Sequence, residues 1–542
     1  MAFADLAAEI LAELLERQPE RATELGDHRY DDRLSDHRPA ALAEQRRWAD
    51  ARLADLAALD PPQLHPQDAV DAEILANELR VLLLRLGEHS WNPLLGNPGR
   101  TLHTLLARDF APLPDRLRSL AGRLREVPAS LAAARATLGA LPRVHVEVAL
   151  DQFAGTLDLV GGGLDRYLDQ APAARGPVDA VRPAAVAALA EHRGWLAQRL
   201  VDLDRDGTFR DPRLGPDRYT GALSLVLQEA ADPAAILARA TADLDRVTAE
   251  MTELAGGRDV ATVLAELGAA AAPDGATVLP LCRAAVAAQR AFVSSSGLVS
   301  DGGDPVETIA MPEFERGAAT AYCDWPGPLE TAPLPTFIAV STTPGGWPPD
   351  RVAAYHREYN RHMLQLILTH EGFPGHALQL AHARRFTGSS AVRVACTSDL
   401  FVEGWATYAQ QLMVDRGYPG EGDRTALRLH QLKLQLRWIT NAIADIRVHC
   451  EHLAPAATAE LVARYAFQGP VAAARRWRSA VLTPAQLPAY YLGNIGITDL
   501  AADLRADRPE WTDRQLHDGL LGHGSPAVRH VRTLLGLAPR PA

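Results

Sequence analysis

Residues Phe3–Leu15 read FADLAAEILAELL. Leu6, Ile10, Leu11 and Leu14 recur at the spacing of a helix that buries one stripe and leaves the other face to solvent. The same period returns in 67–86, 114–139, 181–203 and 233–255, the last behind an Asp232-Pro233 helix start. This patterning predicts a mainly α-helical protein. Residues 1–295 read as a helical scaffold lobe, with no fixed repeat.

Between Ser294 and Asp350 the composition shifts to Gly, Pro, Thr and Ser around one β-like run, Thr336-Phe337-Ile338-Ala339-Val340-Ser341. A very small β element is expected near 336–341, with one partner at most. It could lie beside a substrate and pair with it along an edge, or form a short structural hairpin. A long helix is expected from Arg351 to about His370, followed by further helices through Leu535. The second lobe, 296–542, carries the chemistry-bearing residues, and the two lobes are expected to form one integrated, cleft-type fold.

The 542 residues are 47% hydrophobic and 23% charged, enough apolar surface for a large core. A formal charge of -12 argues against a nucleic-acid partner, because phosphate binding needs a concentrated cationic surface. The run Ala473-Ala474-Arg475-Arg476-Trp477-Arg478 reads as a solvated helix face with a snorkelling aromatic. Cys282, Cys323, Cys396 and Cys450 form neither a CxxC pair nor a disulfide framework. The acidic start offers no signal segment and no later run reaches membrane-spanning length, so the expectation is a cytoplasmic protein with no membrane partner.

The segment Leu368–Gln379, LTHEGFPGHALQ, sets two histidines around a glutamate. Residues four apart stand about 40° apart around a helix, whereas the six-residue step from His370 to His376 leaves about 120°. Gly372, Pro374 and Gly375 allow the helix to break and restart, so that the two imidazoles converge. A catalytic zinc usually takes three protein ligands, and Glu403, in Phe401-Val402-Glu403-Gly404-Trp405, is the candidate third. Glu371 is then placed as general base rather than ligand. The bland alternative makes the histidines helix caps beside a turn and Glu403 a surface acid.

Peptide hydrolysis also needs a donor to the developing oxyanion, for which Tyr490 and Tyr491 are the candidates, ahead of His517 and His523. Adjacent tyrosines on a helix commonly split between core and surface. Asp445 and His449 stand one turn apart, a spacing that suits a clamp on a metal ligand, a core pair or a surface pair.

At these residues the sequence resembles the domain of unknown function 885 family, whose members carry an HE-x-x-PGH-x-x-Q segment and a later EGW. The likeness extends to Arg21–His28 with Asp31, Asp32 and Leu34, to Asp71–Leu75, and to Asn92-Pro93-Leu94. It continues through Pro484, Gln486, Tyr490 and Gly493 to His517 and Gly524-Ser525-Pro526. That family is similar in turn to the helical gluzincin peptidases of the thimet-oligopeptidase and carboxypeptidase groups, which His376-Ala377-Leu378 and Phe401-Val402-Glu403 echo. The resemblance implies one zinc ion, a helical cleft and peptidase chemistry. Many relatives carry a histidine at the position of Ala377 and an acid at that of Gln410, so roles at those two positions do not carry over.

The leading expectation is a zinc hydrolase of amide or peptide bonds in short peptides or peptide-like metabolites. A zinc Lewis-acid lyase or cyclase of secondary metabolism is a second reading, and a non-catalytic metal-binding scaffold a third. The presence of Glu371 speaks against the scaffold, because a structural site needs no base.

Overall fold

The computed structural model describes residues 3–60, 63–311, 316, 319–418 and 424–540. It is mainly helical, about 71% helix and 3% strand, with one small sheet. The predicted amphipathic segments form helices Pro66–Glu88, Leu113–Thr137, Arg175–Asp206 and Pro233–Leu254. Asp232 caps the last of these by accepting from the amides of Ala234 and Ala235.

One compact unit comprises Met1–Pro212, Gly327–Leu334 and Ser389–Ala395. Its core is aliphatic, with Leu117, Leu120, Leu124, Val127 and Leu131 of one long helix meeting Leu189 and Leu196 of another. A fully buried ion pair fastens the Ser389–Ala395 segment to helix Pro66–Glu88: Arg393 Nε donates to Asp71 Oδ1 at 2.7 Å, and both side chains are wholly excluded from solvent. Ser390 Oγ donates to the other Asp71 oxygen at 2.6 Å, and Arg393 also reaches Gln67. Burial pushes the Asp71 carboxyl up and the Arg393 guanidinium down, so their attraction offsets desolvation only in part. Arg393→Ala should therefore destabilise the protein by roughly 3–5 kcal/mol, because it strands a buried carboxylate. The check is the denaturation midpoint, with the Asp71→Leu, Arg393→Met double variant recovering part of the loss.

The second unit comprises Arg213–Pro326, Pro335–Gly388 and Cys396–Ala542. Five of its helices matter below: α1 (Arg361–Glu371), α2 (His376–Arg385), α3 (Asp399–Asp415), α4 (Arg424–Cys450) and α5 (Ala489–Asp507). The helix expected from Arg351 to His370 is two helices, Pro349–Glu358 and α1. Asn360 separates them, its Oδ1 accepting from the amides of His362 and Met363, a local bond that competes with helix continuation. Helix α4 is buried on most of its circumference, with Leu429, Leu432, Leu436, Ile439 and Ile443 in the core beside buried polar groups such as His430, Thr440 and Asp445.

The sheet has three strands rather than one strand with a single partner: β1 (Val306–Ala310), β2 (Ala321–Asp324) and β3 (Thr336–Val340), in the order β1-β3-β2. β3 runs parallel to β1, with Thr308 opposite Ile338, and antiparallel to β2, with Cys323 opposite Ile338. The run singled out for edge pairing is thus the central strand, whose hydrogen-bonding sides are both occupied. Edge pairing by 336–341 is excluded on that ground. The edge nearest the candidate site belongs to β2.

α3 and α5 cross at two glycines. A Cβ on Gly404 would fall 2.5 Å from the Gly493 carbonyl carbon, and one on Gly493 would fall 2.2 Å from the Leu400 carbonyl oxygen. The two backbones touch, and only glycine fits at either position.

Candidate metal centre

α1 ends at Glu371 and α2 begins at His376, so the Gly372–Gly375 insert is a break between two helices. The Gly375 amide donates to the Thr369 carbonyl, and a Cβ there would stand 2.0 Å from the His370 carbonyl oxygen, so the return is that tight. Within the insert the Phe373–Pro374 peptide is cis. Trp405 Nε1 donates to the Pro374 carbonyl at 2.7 Å, tying the insert to α3 two residues beyond Glu403. The EGW triplet thus has three physical jobs: a carboxylate, a helix crossing and an anchor for the insert.

These elements bring His370, His376 and Glu403 together. The imidazole centroids lie 4.5 Å apart with ring planes at 80°. Glu403 Oε2 stands 3.3 Å from His370 Nε2 and 3.7 Å from His376 Nε2. Two atoms held at about 2.0–2.2 Å from one zinc ion can be no more than about 4.3 Å apart, and both separations satisfy this. One donor atom from each of the three residues lies within 4.8 Å of the others, the one such cluster among the described residues that could hold a metal ion. Glu403 Oε2 is buried yet makes no hydrogen bond of acceptable geometry to either imidazole it faces, and such an orphaned acceptor is what ligation explains.

The electrostatics agree with this grouping. Burial pulls His376 down to about 4, with the charge of His370 adding to the effect, so the ring is neutral at physiological pH and free to act as a ligand. For His370 burial acts downward too, but Glu403 and Glu371 beside it reverse the shift and raise it. Burial raises Glu403, and the two imidazoles more than offset that to leave it lowered. Glu371 is pushed up to about 7, chiefly by burial, while Cys323 N donates to its Oε2 at 2.9 Å. That amide lies on β2, so the small sheet orients the carboxylate and leaves Oε1 unclaimed. A bound dication would favour the ionised form.

Of the two tyrosines the structure brings only Tyr490 to the cluster. Its ring stacks on His370 with centroids 6.3 Å apart and planes at 16°, and its hydroxyl side faces Glu403. Tyr491 points away, donating to Asp243 at 2.8 Å. His517 is buried elsewhere, between the Tyr408 hydroxyl and the Leu298 carbonyl, and His523 lies beyond the helix Asp513–Leu521. Asp445 and His449 are both fully buried and hold core loops: Asp445 accepts from Tyr219 and from the Ala485 amide, and His449 binds Leu214 N and Ala480 O. They are a core pair and no clamp on the cluster.

Sequence reasoning missed three parts of the surroundings. The Cys323 amide is a backbone group on an unforeseen strand, and no residue signal marks it. Arg437, half-buried on α4, lies within electrostatic range of His370 and Tyr490. Arg476, taken from the sequence as part of a solvated face, is half-buried, with its Nε excluded from solvent and Arg437 and Tyr490 within electrostatic range, and its neighbour Trp477 donates to the Leu453 carbonyl.

The fold and this cluster define a class: a mainly helical protein with a partly buried His-His-Glu group and an adjacent glutamate. The chain belongs to the family described as bacterial protein of unknown function, DUF885, which it matches over residues 19–535. No curated protein matches it. Among solved structures it is similar to a “putative lipoprotein” of unknown function from Shewanella oneidensis, at 24% identity and a TM-score of 0.84, over 99% of this chain and 100% of the other. A second structure, given the same description, comes from Colwellia psychrerythraea; it matches at 15% identity and a TM-score of 0.80, over 98% of each chain. These likenesses show the fold. They also overturn the expectation of a cytoplasmic protein, since lipoproteins are lipid-anchored and absence of a spanning run does not argue against anchoring. Among the described residues no helix is long and apolar enough to cross a membrane.

The family's motifs acquire physical content here. Gln379, last in the HE-x-x-PGH-x-x-Q segment, donates to Ser525 Oγ at 2.6 Å, and the Ser525 carbonyl accepts from the Ser398 amide at the start of α3. The closing Gly-Ser-Pro therefore ties α2 to α3. Gln410 donates to the Leu366 carbonyl and ties α3 to α1.

Proposed function

We propose that this protein is a zinc-dependent hydrolase of amide or peptide bonds in short peptides or peptide-like metabolites. One observation carries the reading: three donor atoms, one on a buried residue and two on half-buried ones, lie within 4.8 Å of one another beside a carboxylate whose affinity for protons lies near neutrality. The echo of helical gluzincins at His376-Ala377-Leu378 and Phe401-Val402-Glu403 supports it.

His370, His376 and Glu403 would hold the ion. When bound, zinc supplies Lewis acidity, polarising a carbonyl and lowering the pKa of water towards about 7. Glu371, fixed through Oε2 by the Cys323 amide, takes up a proton at Oε1 and returns it to the leaving amine. Tyr490, whose hydroxyl burial keeps firmly protonated, donates to the oxyanion. Buried surroundings strengthen each of these interactions relative to water.

Two measurements test this reading. Metal analysis of the purified protein should find about one zinc per chain, and digestion of a mixed-peptide pool read by mass spectrometry should show released ends that chelation abolishes. Tyr490→Phe should lower kcat by roughly 10²–10³-fold with KM and metal content near wild type. An unchanged kcat would remove Tyr490 from the mechanism.

A further inference from the structure

Half-buried arginines in this protein are usually paired with acids: on α4 itself, Arg428 meets Glu250 and Asp415, and Arg447 meets Glu451. Arg437, on the same helix, has no carboxylate partner among the described residues. Neither has Arg476, on the helix Pro470–Leu482 that packs against α4. Its Nε is buried without a hydrogen-bond partner, and its one side-chain bond is a long 3.4 Å contact to the Gln468 amide oxygen. The two helices pack on one another, and each arginine lies within electrostatic range of the other and of Tyr490, Arg437 also within range of His370. Two half-buried cations near one another repel, and a buried donor left unbonded costs free energy; an oxyanion between them relieves both.

We propose that Arg437 and Arg476 form an anion subsite beside the candidate metal centre, and that it takes the free C-terminal carboxylate of a short peptide. The assignment of a peptide rests on the hydrolase reading above. A planar carboxylate matches the fork of a guanidinium in a way a neutral amide does not. Tyr490 stacks on His370 of the cluster and lies within electrostatic range of both arginines, so a carboxylate held there fixes the scissile bond close to the chain's end. The expected activity is therefore of the dipeptidase or carboxypeptidase kind, with blocked C-termini rejected. Burial lowers Arg476 to about 10, which still leaves it cationic at neutral pH.

The test uses zinc-loaded, full-length Glu371→Gln protein titrated by calorimetry with trialanine and with trialanine amide. Trialanine should bind at least about 10-fold more tightly than its amide, the size that loss of a charge-assisted hydrogen bond produces. Arg437→Ala and Arg476→Ala should each remove that preference without loss of zinc. If an alanine variant does not fold, Arg437→Lys and Arg476→Lys, which keep the charge but lose the fork, should still reduce the preference. Equal binding of acid and amide, binding of neither, or a preference untouched by the arginine variants overturns the subsite. Inorganic phosphate binding more tightly than trialanine overturns the carboxylate assignment. Hydrolysis of trialanine by the wild type is read separately. An arginine-dependent preference with no hydrolysis sinks the peptidase reading and leaves the subsite standing, whereas hydrolysis of acid and amide alike does the reverse.

Discussion

Glu371→Gln should lower hydrolysis by at least about 10²–10⁴-fold while zinc content stays at the wild-type level, the range that general-base catalysis supplies. Glutamine preserves the side chain's length and can still accept the Cys323 amide through its carbonyl oxygen, so the local geometry survives. What it loses is a proton-accepting Oε1. Activity should be compared on a peptide from the mixed pool that the wild type cleaves, with circular dichroism confirming the fold. Full activity with full metal would show that the base lies elsewhere, and the Lewis-acid lyase reading would then gain ground. Loss of metal would instead make Glu371 a ligand.

Removing a donor should reverse that order of events. His376→Ala or Glu403→Ala should weaken zinc binding by more than the roughly 10–100-fold that follows loss of an outer partner of a metal ligand, with activity falling as a consequence. Competition with a chelator of known affinity measures the first quantity, and activity at saturating zinc tests the second. His376 is the sharper case, because its ring is buried and neutral, with Nδ1 lacking any partner. An alanine there removes a donor and strands no charge. Unchanged zinc affinity in both variants would refute the proposed ligand set.

The helices and the histidine pair were legible because each follows from local chemistry. Apolar residues at helical spacing specify the long helices, and a six-residue histidine step makes sense only if the intervening Gly and Pro residues break the helix. Long-range features were not legible. β1 and β2 are short strands without a strong alternating pattern, held by pairing with β3, whose residues lie twelve or more positions away from either. Which of Tyr490 and Tyr491 meets the cluster depends on the phase of α5, which its crossing with α3 sets. Arg476 sits among Arg475, Trp477 and Arg478, and composition alone cannot tell which of these faces inward. The cytoplasmic expectation failed for another reason: it rested on the lack of a spanning run, and solved structures of the same fold are described as “putative lipoproteins” without one being needed.

The contact of Gly404 with Gly493 also bears on how such a protein could change what it acts upon. Glu403 is adjacent to one glycine in the chain and Tyr490 is three residues from the other, so the distance between carboxylate and phenol is set by two main chains in contact. Side chains elsewhere on α3 and α5 can be exchanged without sliding one helix along the other. Residues such as Arg437 and Arg476 stand on different helices and are not bound by that constraint. Substrate preference could therefore diverge among descendants of one ancestor while the reacting groups keep a common spacing.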